Sequence, residues 1–435
     1  MYLTRFGWLA LCLSPALLLG QLPNIKLDAA IPGMGYNPCE PSIAINMAHP
    51  DTIVAGAILN RVYYSHDGGA TWQKSSLSSP YGVFGDPCLV SDYRGNVYYL
   101  HLSDPSGMGW AHPSLLDRIV CQRSADGGVT WTPGGYMGYN PPRDQDKEWM
   151  TVNPLTGHLY TTWTQFDKYD SRDTADKSHI YFARSTNLGK KWSKAVRISQ
   201  LPGDCLDDDH TTEGAVPAAG PGGELYVAWA LDEKIYFDRS RDQGKTWLDT
   251  DRIAATQPGG WTLSVPGISR CNGLPVTVCD ISTGPYRGSV YVHWADQRHG
   301  PGDTDIWVAA SRDGGDTWTG PIRINQDSSR RHQFLSWMTV DPATGYLYCV
   351  YYDRQHHTDL QTDVTLAWSV DGGQHWQNKL ISETPFVPAS EYFFGDYCHI
   401  SAYKGRIFPI WTRMDQGNTS IWTAAVRAAA LGITP

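Results

Sequence analysis

The chain has 435 residues, and 44 acidic against 35 basic side chains give it a net charge of −9. That balance excludes nucleic acid and anionic lipid as partners, since both demand a basic patch. The length supports a sizeable core, and no Ser/Gly/Pro-rich linker or charge run divides the sequence, so residues 21–435 are expected to form one domain.

The first predicted element is a targeting segment. Arg5 precedes an apolar run from Phe6 to Leu19, followed by Gly20 and Gln21. The run is too short to span a bilayer and reads as a signal peptide over 1–20. The mature chain is then expected to be secreted, periplasmic or on the cell surface, without membrane insertion. Eight cysteines follow: Cys39, Cys88, Cys121, Cys205, Cys271, Cys279, Cys349 and Cys398. An even number in an exported chain permits disulfides, and Cys271 and Cys279, which bracket a Gly-Leu-Pro turn, are the best local pair. No C-x-x-C pair suggests zinc or thioredoxin-like chemistry.

Six copies of one octapeptide punctuate the rest: SHDGGATW (65–72), SADGGVTW (124–131), STNLGKKW (185–192), SRDQGKTW (240–247), SRDGGDTW (311–318) and SVDGGQHW (369–376). A period near 60 residues signals a repeat architecture. In each copy Ser and Asp can bond turn amides, Gly supplies positive φ, and Trp packs onto a sheet. Short Tyr/Trp/Val/Ile-rich strands separate the copies and helical periodicity is absent, which predicts a β-propeller of four-stranded blades. Inner strands are expected near Glu40, Asp86, Glu148, Glu213, Val276, Ser336 and Asp396. That makes seven blades, with six as the alternative if a terminal unit is only a cap. The last unit lacks a fourth strand, which Asn24–Asp28 can supply to close the ring.

The octapeptides resemble the Asp-box, or BNR, repeats of sialidase-like propellers over nearly the whole mature chain. The chain is also similar to exported bacterial BNR-repeat glycosyl-hydrolase-like proteins, with phrases such as DKEW (146–149), GPYRGSVYVHWADQR (284–298) and FGDY (394–397). The resemblance implies the fold rather than the activity, because Asp boxes lie away from the active face and recur in non-enzymes. True sialidases carry an Arg-Ile-Pro motif on the first strand. The corresponding stretch here, AIPGMGYNPCEPSIAIN (30–46), has no arginine, which argues against sialic acid cleavage.

Aligned on their inner strands, five units lead with a carboxylate: Glu40, Asp86, Glu148, Glu213 and Asp396. Carboxylates converging on a channel mouth shift one another's pKa values, giving the raised acid and ionised partner that a glycosidase uses. Glu148 and Asp396 are the expected catalytic pair, with Asp86 modulating them. Glu40, Glu213, Arg298, Arg354 and Trp337 are the expected substrate contacts. No cofactor is required, although hard oxygens in a ring would suit Ca²⁺. The long loops Ser103–Arg118 and Phe166–Ser178 are candidate walls, and Trp110, Trp149 and Trp337 candidate sugar platforms. Asp207-Asp-Asp-His210 reads as an acidic loop, or alternatively a cation site. Two functions remain open: a glycoside hydrolase, or a non-catalytic propeller that binds a protein or glycan partner, such as a cell-envelope component.

Overall fold

The computed structural model describes residues 22–31 and 36–433, so the expected signal peptide over 1–20 lies outside the described residues. Apart from two short 3₁₀ turns, Gly109–Ala111 and Ala428–Leu431, the regular elements are strands. They form seven antiparallel four-stranded sheets, with one extra short strand, Val426–Arg427, on the seventh, and a separate two-stranded ribbon of Thr262–Leu263 and Cys271–Asn272. The inner strands are Ser42–Ile45, Cys88–Ser91, Asp144–Val152, Glu213–Ala219, Val276–Cys279, Gln333–Val340 and His399–Tyr403. Each touches the inner strands of the blades on either side, around a complete circle. Seven blades are therefore present, not six. The first strand, Asn24–Ala29, pairs with Asn418–Ala424 and completes the seventh blade, as its sequence suggested. Asn24 also bonds the Ile381 carbonyl and the Glu383 amide of the sixth blade.

Aromatic packing braces each blade and ties it to the next, as where Phe182 of the third blade meets Trp247 of the fourth at 5.0 Å between ring centroids. Trp163, Trp229, Trp294 and Trp411 are fully buried on the second strands of four blades. Opposite them across the sheet stand Tyr181, Tyr236, Trp307 and Trp422. Cross-strand aromatic pairs of this kind suit a wedge-shaped stack of sheets.

The Asp boxes staple the outer turns. In the first, Ser65 donates to Asp67 at 2.8 Å and accepts from the Gly69 amide at 2.9 Å. Asp67 accepts from the Thr71 amide and hydroxyl, and Trp72 Nε1 donates to the Gly69 carbonyl at 3.1 Å. Those bonds from Thr71 hold Asp67 at about 2, below the usual carboxylate range. Each box also touches a neighbouring blade: a Cβ on Gly69 would meet Phe408, and one on Gly315 would meet Phe237. In the degenerate third box Asn187 stands in for Asp and still accepts from the Lys191 amide at 2.9 Å.

The expected Cys271–Cys279 disulfide is absent. All eight described cysteines are free and buried. The segment between the two is extended rather than turned: Cys271 pairs with Leu263 at the mouth, whereas Cys279 pairs with Val290 at the far end of the inner strand.

The box geometry makes a stability prediction. Gln243 sits at φ 64°, where the intact boxes have Gly. Gln243→Gly should raise stability by about 1 kcal/mol by relieving that conformation. Gly315→Ala, whose Cβ would lie 2.1 Å from Phe237 at φ +89°, should lower it by about 3 kcal/mol. Urea unfolding of both variants against the wild type checks the opposite signs.

Candidate active site at the propeller mouth

The inner strands begin on the face opposite the Asp boxes, whose loops pack on the hairpins that follow those strands; Gly68, for example, donates to the Asp51 carbonyl at 2.8 Å. The strands enter the mouth through strained or bulged backbone. Glu40, Asp86, Lys147 and Leu335 all have φ between 46° and 52°, and Gly214 has φ 80°. Bulges separate Asp146 from Trp149, Glu213 from Val216 and Phe334 from Trp337. Such bulges re-aim side chains at functional sites.

The bulges correct the sequence alignment. Lys147, Gly214 and Leu335 occupy the equivalent kinked position, so Glu213 corresponds to Asp146, and Glu148 to Ala215 and Ser336. The five acids are thus not at one structural position. They nonetheless belong to one cluster, joined by residues the alignment missed.

Two cations organise it. Lys147 Nζ donates to Asp396 Oδ2 at 2.6 Å and lies 3.4 Å from Asp86 Oδ2. Arg270 grips both oxygens of Asp396, with Nε to Oδ1 at 2.8 Å, and its Nη1 donates to Asp207 Oδ2 at 2.6 Å. Tyr169 donates its hydroxyl to the same Asp207 oxygen at 2.8 Å. The Asp396 amide donates to Glu40 Oε1 at 3.1 Å. Glu148 and Glu213 are fully buried; neither Glu148 oxygen has a side-chain hydrogen-bond partner, Glu213 lies against Asp207, and the Tyr397 hydroxyl near Glu148 is unpartnered.

These environments drive the protonation states apart. Burial, with the nearby charge of Asp86, pushes Glu148 far above the ordinary range, and burial with Asp207 does the same to Glu213. Burial with Asp86 and Asp396 raises Glu40. Burial also pushes Asp146 up to about 7. Asp396 moves the other way: burial opposes its charge, but Arg270 and Lys147 outweigh it and hold the carboxylate ionised. Neutral acids therefore stand beside an ionised one.

Beneath the cluster the channel is plugged. Trp149 and Trp337 pack at 4.1 Å between ring centroids, with Tyr397 and His399 against them. Above the plug a cavity of about 30 Å³ is lined by Lys147, Asn272, Ser336, Asp396 and Tyr397, room for one or two waters. Below it a channel of about 230 Å³ runs between the inner strands. Trp337, expected to contact substrate, is 7% exposed and serves this plug.

The other expected contacts lie elsewhere. Arg298 forks onto Asp296 at 2.5 Å and stacks over Trp307 at 4.0 Å. Arg354 is buried, donating to the Pro266 carbonyl and Thr362. Neither bonds a carboxylate of the mouth. Asp207-Asp-Asp-His210 splits: Asp207 joins the cluster, Asp209 accepts from the Thr262 amide, and His210 pairs with Asp232. At the mouth, Ca²⁺ would compete with two side-chain cations already bonded to three of the carboxylates. Among the described residues one group, away from the mouth carboxylates, gathers three possible metal-ligand atoms within 4.8 Å: His299, Asp303 and Asp305. There Asp305 is already bonded to His299 and Asn325.

The walls are aromatic. Trp110, in the expected loop, is 63% exposed and leans on Phe84 and on Tyr169 at 5.5 Å. Phe393 lies under Arg270 on the other side. Arg270 carried one sequence signal: it precedes the inner strand of a blade that has no leading acid.

Residues 63–74 match the family model described as BNR/Asp-box repeat. The chain is a seven-bladed β-propeller that carries this repeat. Its fold is similar to that of a protein of unknown function from Dyadobacter fermentans, at 13% identity and TM-score 0.51, over 93% of this chain and 99% of that one. It is likewise similar to the α-L-arabinofuranosidase of Fusarium graminearum, solved with arabinobiose, at 14% identity and TM-score 0.50, over 94% and 98%. The NanB sialidase from Streptococcus pneumoniae aligns at 12% identity and TM-score 0.48, over 94% of this propeller and 71% of that chain. No curated protein matches the sequence.

A group whose pKa rises on folding stabilises below its unfolded value and loses that contribution as pH climbs through the folded one. Asp146, raised from 3.8 to about 7, should therefore cost stability between those values. Asp146→Asn should flatten the decline seen by urea unfolding between pH 4.5 and 7.5.

Proposed function

We propose that this Asp-box propeller is an exported glycoside hydrolase that cleaves a glycan at the mouth. The observation that carries the reading is the divergence of two carboxyls of the mouth cluster, both of which feel Lys147: Glu148, buried and held neutral, and Asp396, held ionised by Arg270 and Lys147. Hydrolysis of a glycosidic bond uses that combination, a carboxylic acid to protonate the leaving oxygen and a carboxylate to serve the anomeric carbon. Glu148 takes the first role and Asp396 the second, while Asp86 adds negative charge that keeps Glu148 protonated. Lys147 and Arg270 orient Asp396. The fold shared with the Fusarium arabinofuranosidase supports a glycoside-hydrolase-like propeller.

The ion pairs also favour a second reading. Lys147 and Arg270 satisfy three carboxylates without any substrate, as expected of a rigid disc that docks a protein or glycan partner in a cell-envelope assembly.

Turnover separates the two. On a panel of polysaccharides and aryl glycosides, Glu148→Gln and Asp396→Asn should each lower kcat by about 10³-fold, the scale of general acid–base catalysis. Wild-type activity should fall on the alkaline side as Glu148 ionises and persist toward acid, where Asp396 stays charged. Intact rates in either variant would refute the assignment, and a panel without turnover alongside a captured envelope partner would establish the second reading.

A further inference from the structure

We propose that the channel beneath the tryptophan plug is a second binding site, which takes an uncharged, largely apolar molecule of two fused rings from the Asp-box face. It uses none of the acids at the mouth and stands whether or not a glycan is cut there.

The plug turns an open axis into a blind pocket. Trp149, Trp337 and His399 close its upper end, where the imidazole stacks on Trp149 at 4° and lies 4.8 Å from Trp337. From there the walls run down the inner strands to Met47, Tyr93, Pro342 and Tyr403, at or just past the far ends of those strands. The volume of about 230 Å³ decides what fits. An apolar cavity of about 150 Å³ holds one benzene, so this channel accommodates a fused pair of rings but not four.

Its chemistry is the reverse of the mouth. Among the described residues that line the channel, none is Asp, Glu, Lys or Arg, in a chain where 18% of residues are charged. Burial pushes His399 down to about 3, so its imidazole is neutral. A charged molecule would shed its hydration there without meeting a counter-charge. Val90, Val278 and Val340 are partly exposed along the walls and offer apolar surface instead. Polar groups are few. Ser91, Thr277 and Ser401 already accept from the Met47, Ala228 and Ile45 amides. Thr151 and Thr339 stand two residues below Trp149 and Trp337, on the same face of their strands, and are partly exposed. With His399 they can bond a single hydroxyl or carbonyl on the ligand. An apolar concavity with a few polar groups at its closed end is the ordinary make-up of a small-molecule site.

The test is calorimetric titration near neutral pH with 2-naphthalenemethanol and two ions of the same shape, 2-naphthoate and 2-naphthylmethylammonium. The alcohol should bind with a Kd of about 100 μM or tighter, the scale its size allows. Both ions should bind about 30-fold more weakly or not at all. Hydrocortisone, neutral but built on four fused rings, should stay unbound. Thr151→Phe and Thr339→Phe, which fill the channel beneath the plug, should each weaken the alcohol by about tenfold or more, with urea unfolding reporting that they fold. The ligand series needs no variant and decides the matter if neither folds. Silence of the alcohol at about 1 mM, ions that match it, or hydrocortisone that binds as well would overturn the site. So would full affinity for the alcohol in both folded variants.

Discussion

Everything at the mouth depends on one constraint: seven short strands must share an axis. Once the sheets are wedged together by their buried tryptophans, the residues that start those strands become neighbours however far apart they lie in the chain. Glu40 and the Asp396 amide, in the first and last blades, are hydrogen-bonded across 356 positions. Closure also decides the charge pattern. Acids from several blades are brought into a space too small to hydrate them separately, and burial decides which can keep its charge.

The outcome is a graded set of carboxyls rather than a uniform ring. Asp396 keeps its charge because it receives two cations, one from across the mouth, Lys147 of blade three, and one from Arg270 of the loop leading into blade five. Glu148 and Glu213 receive none and stay neutral. The tryptophan plug reinforces this grading. By closing the channel beneath the cluster, Trp149 and Trp337 exclude water from one side and leave the aromatic-walled side as the approach.

The architecture was largely legible in the sequence because its signals are local. Each Asp box is a self-contained turn, and the short aromatic strands between boxes carry their own period; even the borrowed strand at Asn24 could be found by noting what the last unit lacked. The site was legible only in outline. Acids at the strand starts could be seen, but their register could not, because a bulge adds a residue without a compositional mark. Lys147 and Leu335 adopt left-handed backbone that nothing in their side chains announces. Arg270 and Asp207 lie in irregular loops between blades, and only the closed ring brings them to Asp396 and Tyr169. Likewise the cysteine spacing suggested a bridge, but spacing cannot tell a turn from an extended crossing of the sheet.

The strand that closes the seventh blade has a consequence for how the molecule comes into being. Asn24–Ala29 is made nearly 400 residues before its partner, Asn418–Ala424. Until the two meet, an open arc of blades presents unpaired edges at both ends, a non-local pairing that slows folding and exposes the chain to misassembly. The Glu40–Asp396 contact straddles the same seam. Maturation of the mouth and completion of the ring are therefore a single event, and a truncated or half-folded chain carries the repeats without a formed site.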